Sequence, residues 1–360
     1  MSPSPHDRAS GILATFASDE VISAAFRWLC QQRRHWPADA DVWDLRLHWD
    51  RERPAIQEAL RRGEYLFAPM ARVTKAEGDV QHVWSSRDAV VLKALAIVLA
   101  RHLPVSDRCT HLKGHGGAKA AVRAVRDNLG DHAFVMRTDV KGYYDSIEQH
   151  RMVDLLSRHV RDRTVLNLLW QAMRRTVTWG GLYRDCERGI SRGCSLSPLL
   201  GAFYLYELDT AMEHEGVLYV RFMDDILVLA PTRWKLRRAV KVVNEQLSSL
   251  ALAKHPDKTF IGRVDKGFDF LGYHFRREGL TVARKTLESF GERLARLYEQ
   301  RKEGLVSPSV PGSYARRWMG WATGGLKAPA PTNVRVSDDP LACGMWLDSR
   351  FRGLAPTARA

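Results

Sequence analysis

Residues 217–230 read VLYVRFMDDILVLA, two apolar, β-prone runs joined at a pair of adjacent aspartates, Asp224 and Asp225. The pattern predicts a strand–turn–strand hairpin with the carboxylates at its tip. Both arms of such a hairpin are paired or packed, so tip carboxylates gain little from the protein itself. Side by side they also raise each other's pKa unless a cation neutralises them. A hard divalent ion that takes carboxylate oxygens would meet that need. A solvated turn accounts for Asp-Asp alone equally well, since Asp is a common turn residue.

The rest of the chain favours the cation. Among 360 residues, Lys and Arg number 55 against 41 acidic residues, a formal net charge of +14. Such an excess favours polyanionic partners, nucleic acid first, over a role in solubility alone. The length allows two or three packed subdomains, and 45% hydrophobic residues are ordinary for a globular protein. The five cysteines (Cys30, Cys109, Cys186, Cys194, Cys343) are scattered without a CxxC pair, which argues against a disulfide framework or a structural zinc. Ala89–Ala100 is too short for a membrane span and is interrupted by Lys93; MSPSPHDRAS at the start has no secretory apolar segment. The expected location is cytoplasmic, with no membrane partner.

Working outward along the chain, residues 11–62 predict helices, with Pro37 and Pro54 at helix boundaries. Residues 65–84 predict a β-hairpin, and 88–102 a buried helix. A Gly/His loop, His111–Gly117, leads into a helix through Leu129, then an apolar strand, Phe134–Val140, that carries Asp139. Residues 148–178 predict helix, Gly180–Cys194 loop and turn, and Leu199–Met212 an apolar helix. Beyond the hairpin, an amphipathic helix over 233–250, strands near 259–264 and 268–275, and a basic helix at 284–303 are expected. The remainder is Pro/Gly/Ser-punctuated.

Asp139 gives the Asp pair a partner. Three carboxylates at adjacent strand ends, in an otherwise basic protein, make a site for two Mg²⁺, with Mn²⁺ the alternative ion. Two metals about 3.5–4 Å apart activate an attacking hydroxyl and stabilise a leaving pyrophosphate in one in-line displacement. Positive charge elsewhere would hold a polyanionic template and primer.

At these residues the chain resembles the reverse transcriptases, of the bacterial group II intron-like branch. The resemblance runs from Tyr65 to Leu326, and its blocks come in the family's order. TDVKGYYDSI carries Asp139 as first metal ligand; GISRGCSLSPLL (Gly189–Leu200) matches the block that positions template and incoming nucleotide. YVRFMDDI supplies the second ligand, Asp224, and the neighbouring Asp225, and KHPDKT places Lys258 where the family has a lysine proposed as general acid to the pyrophosphate. FDFLGYHF (Phe268–Phe275), with Gly272, looks like the hairpin that grips the primer end.

The resemblance implies an α+β right-hand polymerase with fingers, an antiparallel-sheet palm and a short helical thumb. Residues 1–62 would be a helical N-terminal extension, 63–130 fingers, 131–278 palm with fingers elements, 279–327 thumb, and 328–360 a loose C-terminal tail. It implies an RNA-directed DNA polymerase whose partners are an RNA template, a DNA primer or product, and dNTPs.

Individual residues acquire roles on this basis. Tyr144, five positions after Asp139, matches the bulky residue that packs under the sugar and would clash with a 2′-hydroxyl; plain core packing is its other reading. Gly193 would let backbone approach the nucleotide. Lys75 matches the fingers lysine that contacts the triphosphate, with Arg72 nearby. Arg221 either neutralises the carboxylates or touches a primer phosphate. Arg87-Asp88 resembles a family pair that is either a salt bridge or catalytic. Arg293, Arg296, Arg316 and Arg317, with Trp318, read as a thumb tracking the duplex backbone, or as a solvated charged face. His111 and His115 suggest metal ligation weakly, and the glycines around them suggest a loop whose amides hold phosphate.

Departures from the family pattern touch substrate detail. Gln81 stands where Arg is common, and Ser191-Arg192-Gly193 where Pro-Gln-Gly is common, so a guanidinium replaces an amide and is suited to grip phosphate bidentately. Met223 stands where intron enzymes often have Ala, and is flexible enough to pack beneath the primer. The His/Cys endonuclease cluster and the retron Val-Thr-Gly triplet are absent from the sequence. Two other functions fit the same residues: untemplated DNA synthesis in phage defence by a polymerase of this fold, and an RNA-binding splicing factor with a non-essential active site.

Overall fold

The computed structural model describes residues 5–74 and 80–326. Its strands are β1 (Met70–Thr74), β2 (Val80–Val83), β3 (Phe134–Asp139), β4 (Thr176–Trp179), β5 (Leu182–Asp185), β6 (Leu218–Phe222), β7 (Asp225–Ala230), β8 (Phe260–Arg263), β9 (Phe268–Phe270), β10 (Tyr273–Arg276) and β11 (Gly279–Val282). The chain forms two compact units, each built from separated segments. The first takes in the chain up to Ser106, Val140–Thr210 and Asn244–Lys254. The second takes in Asp107–Asp139, Ala211–Val243 and the chain from His255 onward.

In the first unit the expected N-terminal helices form as Pro5–Phe16, Asp19–Gln32, Asp41–Leu47 and Trp49–Arg62. Pro54 does not bound a helix; it lies inside Trp49–Arg62, one turn past its start, where the ring removes one main-chain bond without ending the helix. Ser86–Leu99 is buried along most of its length and begins at Ser85, whose hydroxyl accepts from the Asp88 amide. The buried Arg33 ties the helical layer to this start, donating to Ser86 Oγ at 2.7 Å and to the Trp84 carbonyl at 2.8 Å.

The unit's sheet has the order β2-β1-β4-β5 and is mixed, since β1 and β4 run parallel. The β4–β5 hairpin replaces the expected end of a helix and start of a loop. Helix ends at Arg174, and Thr176–Asp185 folds back through Gly180 and Gly181, both at positive φ. A two-residue Gly-Gly connection between β-branched and aromatic residues was the available signal. The expected helix 199–212 is likewise two pieces, Ser197–Tyr204 and Tyr206–Glu213.

In the second unit a four-stranded antiparallel sheet has the order β6-β7-β3-β8. Ile226, Leu227, Val228 and Leu229 of β7 are fully buried, worth about 1.5–3 kcal/mol each relative to exposure. Helix Gly117–Asp127 packs Ala121, Val122 and Val125 into one core with Val220, Leu227 and Leu229. A second sheet, β11-β10-β9, joins the same core through Phe268, Phe270, Tyr273 and Phe275. The segment 268–275, expected as a strand from its pattern and as a hairpin from the family resemblance, is a hairpin. Leu271 and Gly272, both at positive φ, turn it so that Phe270 pairs with Tyr273.

Helices Arg284–Lys302 and Val310–Gly325 close the described chain and share a small cluster of Phe290, Leu294, Tyr298, Ala315 and Met319. Trp321 lies against Gly272, where a Cβ would sit 2.7 Å from the indole. The mixed helices and antiparallel sheets agree with the α+β expectation.

Candidate active site

The second unit gathers Asp139, Asp224, Asp225 and Lys258. Asp139 ends β3 and is directly paired with Asp225, which begins β7, so both side chains leave the same face of the sheet. Phe222 pairs with Asp225, leaving Met223 and Asp224 as a two-residue connection. Met223 takes a left-handed conformation, φ 56, at a position where glycine is the usual choice; the side chain there costs about 1 kcal/mol.

Two neighbours hold that tip. The Met223 amide donates to His111 Nδ1 at 3.1 Å, and its carbonyl accepts from Arg221 Nη1 at 2.9 Å. On the other side, the Asp139 carbonyl accepts from the His255 amide at 2.7 Å, which anchors the short turn Pro256–Lys258. Lys258 Nζ then donates to Asp139 Oδ2 at 2.6 Å.

Burial is the largest influence on these acids, and mutual charge follows. Asp224 is pushed up to about 7 by burial, by a hydrogen bond shared with Asp139, and by the charges of Asp139 and Asp225. Asp225 is pushed up to about 6 by burial and the Asp139 charge, against the pull of Arg137 and Lys258. Lys258, whose side chain is 59% exposed, is held above its ordinary value mainly by its hydrogen bond to Asp139. Arg137 was not anticipated from the sequence. Its place two residues before Asp139, on the same strand face, was the signal for it.

The three carboxylates do not enclose a point. Among the described residues no three His, Cys, Asp or Glu side chains form a cluster that would hold a metal ion. Asp139 opposite Asp225, with Asp224 in the adjoining turn, still fits a divalent ion, since Mg²⁺ is usually held by one or two carboxylates together with substrate phosphates. The raised acids express burial first and the crowding of like charge second.

Arg221 is a correction. It is fully buried, and its guanidinium bonds the Met223 carbonyl, so it braces the turn from inside and does not present itself to a primer phosphate. Gly272, expected at a primer contact, is at φ 83 with the Trp321 ring closing over it, a packing reason for glycine. His111 and His115 form no metal cluster with a third ligand among the described residues. Within their loop the His115 and Gly117 amides donate to the carbonyls of Leu112 and Thr110, so these two are not available to a phosphate.

The remaining expected residues are placed as follows. In the first unit Arg72 lies over the Trp179 ring at 4.2 Å. Tyr144 stacks on Tyr143, and its ring edge would be 2.9 Å from a Cβ at Gly201. Arg192 pairs with Asp145. Gly193, at φ 74, has Gln81 Nε2 3.2 Å from where its Cβ would stand. Gln81, Asp145, Arg175 and Arg192 line one cavity of about 360 Å³. Lys75 lies outside the described residues, as do Cys343 and the expected tail at 328–360. Asp88 is buried and accepts from Tyr65, Ser85 and the Ala68 amide, while Arg87 reaches Glu52 at 3.5 Å; the two do not pair with each other. In the second unit Arg293, Arg296, Arg316 and Arg317 are exposed on the last two helices, with Arg293 over the Tyr314 ring at 5.7 Å.

A strand-end aspartate facing an Asp-Asp turn across an antiparallel sheet is the arrangement the ordered sequence blocks led us to expect. The family described as reverse transcriptase (RNA-dependent DNA polymerase) matches residues 92–275, just over half of the chain. The chain belongs to that family, and so to the nucleotidyltransferases that are RNA-directed DNA polymerases.

Its relatives put it on the group II intron-like branch. The chain is 24% identical to protein YkfC of Escherichia coli (strain K12) over 274 residues, 62% of this chain and 71% of that protein. It is 23% identical to the group II intron-encoded protein LtrA of Lactococcus lactis subsp. cremoris over 202 residues, 54% of this chain and 33% of LtrA. With a 91 kDa protein encoded in the cob intron of Schizosaccharomyces pombe it shares 27% identity over 165 residues, 44% of this chain and 20% of that one. The chain thus spans a third or less of the length of these two intron proteins. No helix among the described residues is long and apolar enough to cross a membrane.

Proposed function

We propose that this chain extends a DNA primer on an RNA template with dNTPs, and that the Asp139–Asp224–Asp225 group is its catalytic centre. The register that places Asp139 opposite Asp225, with Asp224 in the adjoining turn, carries the reading. Bound there, two Mg²⁺ would supply the charge that activates the primer 3′-hydroxyl and stabilises the leaving pyrophosphate. Asp139 and Asp224 would hold the ions and Asp225 would assist. The primer hydroxyl would give its proton to water as its oxygen attacks the α-phosphate of the dNTP, and the bond to pyrophosphate would break. Lys258, already protonated beside Asp139, donates a proton to that leaving group.

In this reading the four-stranded sheet of the second unit is the palm and its last two helices are the thumb, with Arg293, Arg296, Arg316 and Arg317 along the duplex backbone. Lys75, Arg72, Tyr144, Arg192 and Gly193 are proposed, on the family resemblance, to recognise the nucleotide. The intracellular setting of such substrates agrees with a cytoplasmic protein.

Primer extension on defined RNA templates, with Mg²⁺ and all four dNTPs, tests the proposal. Product whose length and sequence follow the template supports it. Product of unrelated sequence, or a biological effect that survives Asp139→Ala with Asp224→Ala, overturns it.

A further inference from the structure

The amide of the first residue in a two-residue hairpin connection has no partner in the ladder and ordinarily faces water. Here that amide, on Met223, is taken by a side chain from a distant segment, His111 Nδ1 at 3.1 Å. The segment is fixed in place. Cys109 bridges in parallel to Arg221, the Arg221 amide donates to the Arg108 carbonyl at 2.9 Å, and the Thr110 amide donates to the Arg221 carbonyl at 2.9 Å. Residues 108–111 therefore run alongside β6 and deliver the imidazole to the turn. Its ring stands edge-on to Phe222, with centroids 6.0 Å apart. Cys109 Sγ lies 3.3 Å from the same nitrogen. An Nδ1 that accepts from an amide is unprotonated, so this geometry assigns the ring proton to Nε2.

We propose that His111 is a positioning residue for the catalytic turn. By accepting from the Met223 amide while Arg221 donates to the Met223 carbonyl, it clamps both polar groups of the left-handed residue that precedes Asp224, and so sets where the Asp224 carboxylate points. The inference rests on the polymerase reading for its consequence in catalysis, but the clamp itself is a property of the fold.

The full chain carrying His111→Asn, His111→Gln or His111→Leu tests it with two readouts. Asn places its carbonyl oxygen close to the position of Nδ1, Gln reaches the position of Nε2, and Leu has no acceptor. The first readout is hydrogen exchange of the Met223 amide, followed in peptides covering 218–230. The second is steady-state primer extension. His111→Leu and His111→Gln are expected to speed Met223 exchange and lower kcat by about 10- to 100-fold, the loss typical of removing a group that orients a ligand residue. The KM for dNTP should stay unchanged, and His111→Asn should restore both readouts. Wild-type exchange in His111→Leu, or equal effects in His111→Asn and His111→Gln, overturns the proposal. Should the Leu variant fail to fold, the Asn–Gln comparison decides. A wild-type chain that extends no primer refutes the polymerase reading and leaves the exchange comparison to judge the clamp.

Discussion

Asp139 faces Asp225 directly across the β3–β7 ladder, two carboxylates in register on one face of the sheet. Like charges so placed destabilise an antiparallel pair, and here Arg137 and Lys258 are the cations that oppose the effect at Asp225. Without a divalent ion the centre is therefore under electrostatic stress, and its stability should respond to pH, to charge removal and to metal.

The pH response has a defined sign. Asp224 and Asp225 are raised to about 7 and about 6, above their unfolded values, so their contribution to stability is fully present below about pH 4 and is lost as pH rises through 6 and 7. In EDTA, thermal unfolding at pH 5.5 should exceed the value at pH 8 once other titrations are referenced to an Asp224→Asn, Asp225→Asn variant. Adding Mg²⁺ should raise the pH 8 midpoint more than the pH 5.5 midpoint. An equal rise at both would show that these acids are not where the ion binds.

Asp224→Asn separates stability from catalysis. Removing a raised carboxyl's charge should lift the midpoint at pH 8 in EDTA by about 2–4 °C, the shift that ~1 kcal/mol produces in a domain-sized unit. Primer extension should fall by on the order of 10²- to 10³-fold or more, as when a group that stabilises developing charge is lost. A variant that is both less stable and fully active contradicts this assignment.

A divalent ion at Asp139 would compete with Lys258, whose Nζ holds Oδ2 at 2.6 Å. Lys258→Met should lower kcat by about 10²-fold or more, the usual contribution of a general acid. The Mg²⁺ concentration for half-maximal activity should fall at the same time. A raised metal requirement would mean that Lys258 supports ion binding instead.

Gly272 supports the Trp321 contact. In Gly272→Ala the new Cβ meets the indole at 2.7 Å and the backbone remains at φ 83, so the unfolding free energy should drop by about 1–3 kcal/mol. Trp321→Ala in the same chain should recover the steric part, giving a coupling readable in a double-mutant cycle. Additive losses would show that the two residues do not share the contact.

Tyr144 is proposed to discriminate against ribonucleotides. Tyr144→Ala should raise the efficiency of rNTP relative to dNTP incorporation by about 10- to 200-fold, the span that a single pocket contact controls. An unchanged ratio in single-nucleotide extension assays returns Tyr144 to core packing over Gly201.

The parts legible in the sequence are those with a strong local signature. The VLYVRF and ILVLA runs about an Asp-Asp pair predict the β6–β7 hairpin, and the strand expected over Phe134–Val140 is found as Phe134–Asp139. Tertiary partners were not legible. Arg221 reads as a surface cation because arginine is almost never fully buried; only the chain of contacts from Arg108 to His111 explains its place. Helical periodicity continues past Arg174, so residues 176–185 read as a helix end and a loop, although Gly180-Gly181 marks the β4–β5 hairpin. Pro54 was read as a boundary because an interior proline is costly, yet packing of Ile56, Gln57 and Leu60 outweighs that cost. His111 stood out locally only as one of a His pair in a Gly-rich loop, and its contact with the turn had no local signature, since its partner is an amide in another segment.

The burial of Arg221 also bears on how the hairpin finds its alignment. Apolar strands such as Leu218–Phe222 and Asp225–Ala230 would slide by two residues with little penalty, because one aliphatic side chain replaces another on the same face. A guanidinium sealed inside admits no such exchange, because a slipped pairing would carry it out of the site that buries it and put an aliphatic side chain there, at a cost on the order of several kcal/mol. The arginine thus works as an indexing pin, favouring the alignment that brings Asp224 and Asp225 to the tip.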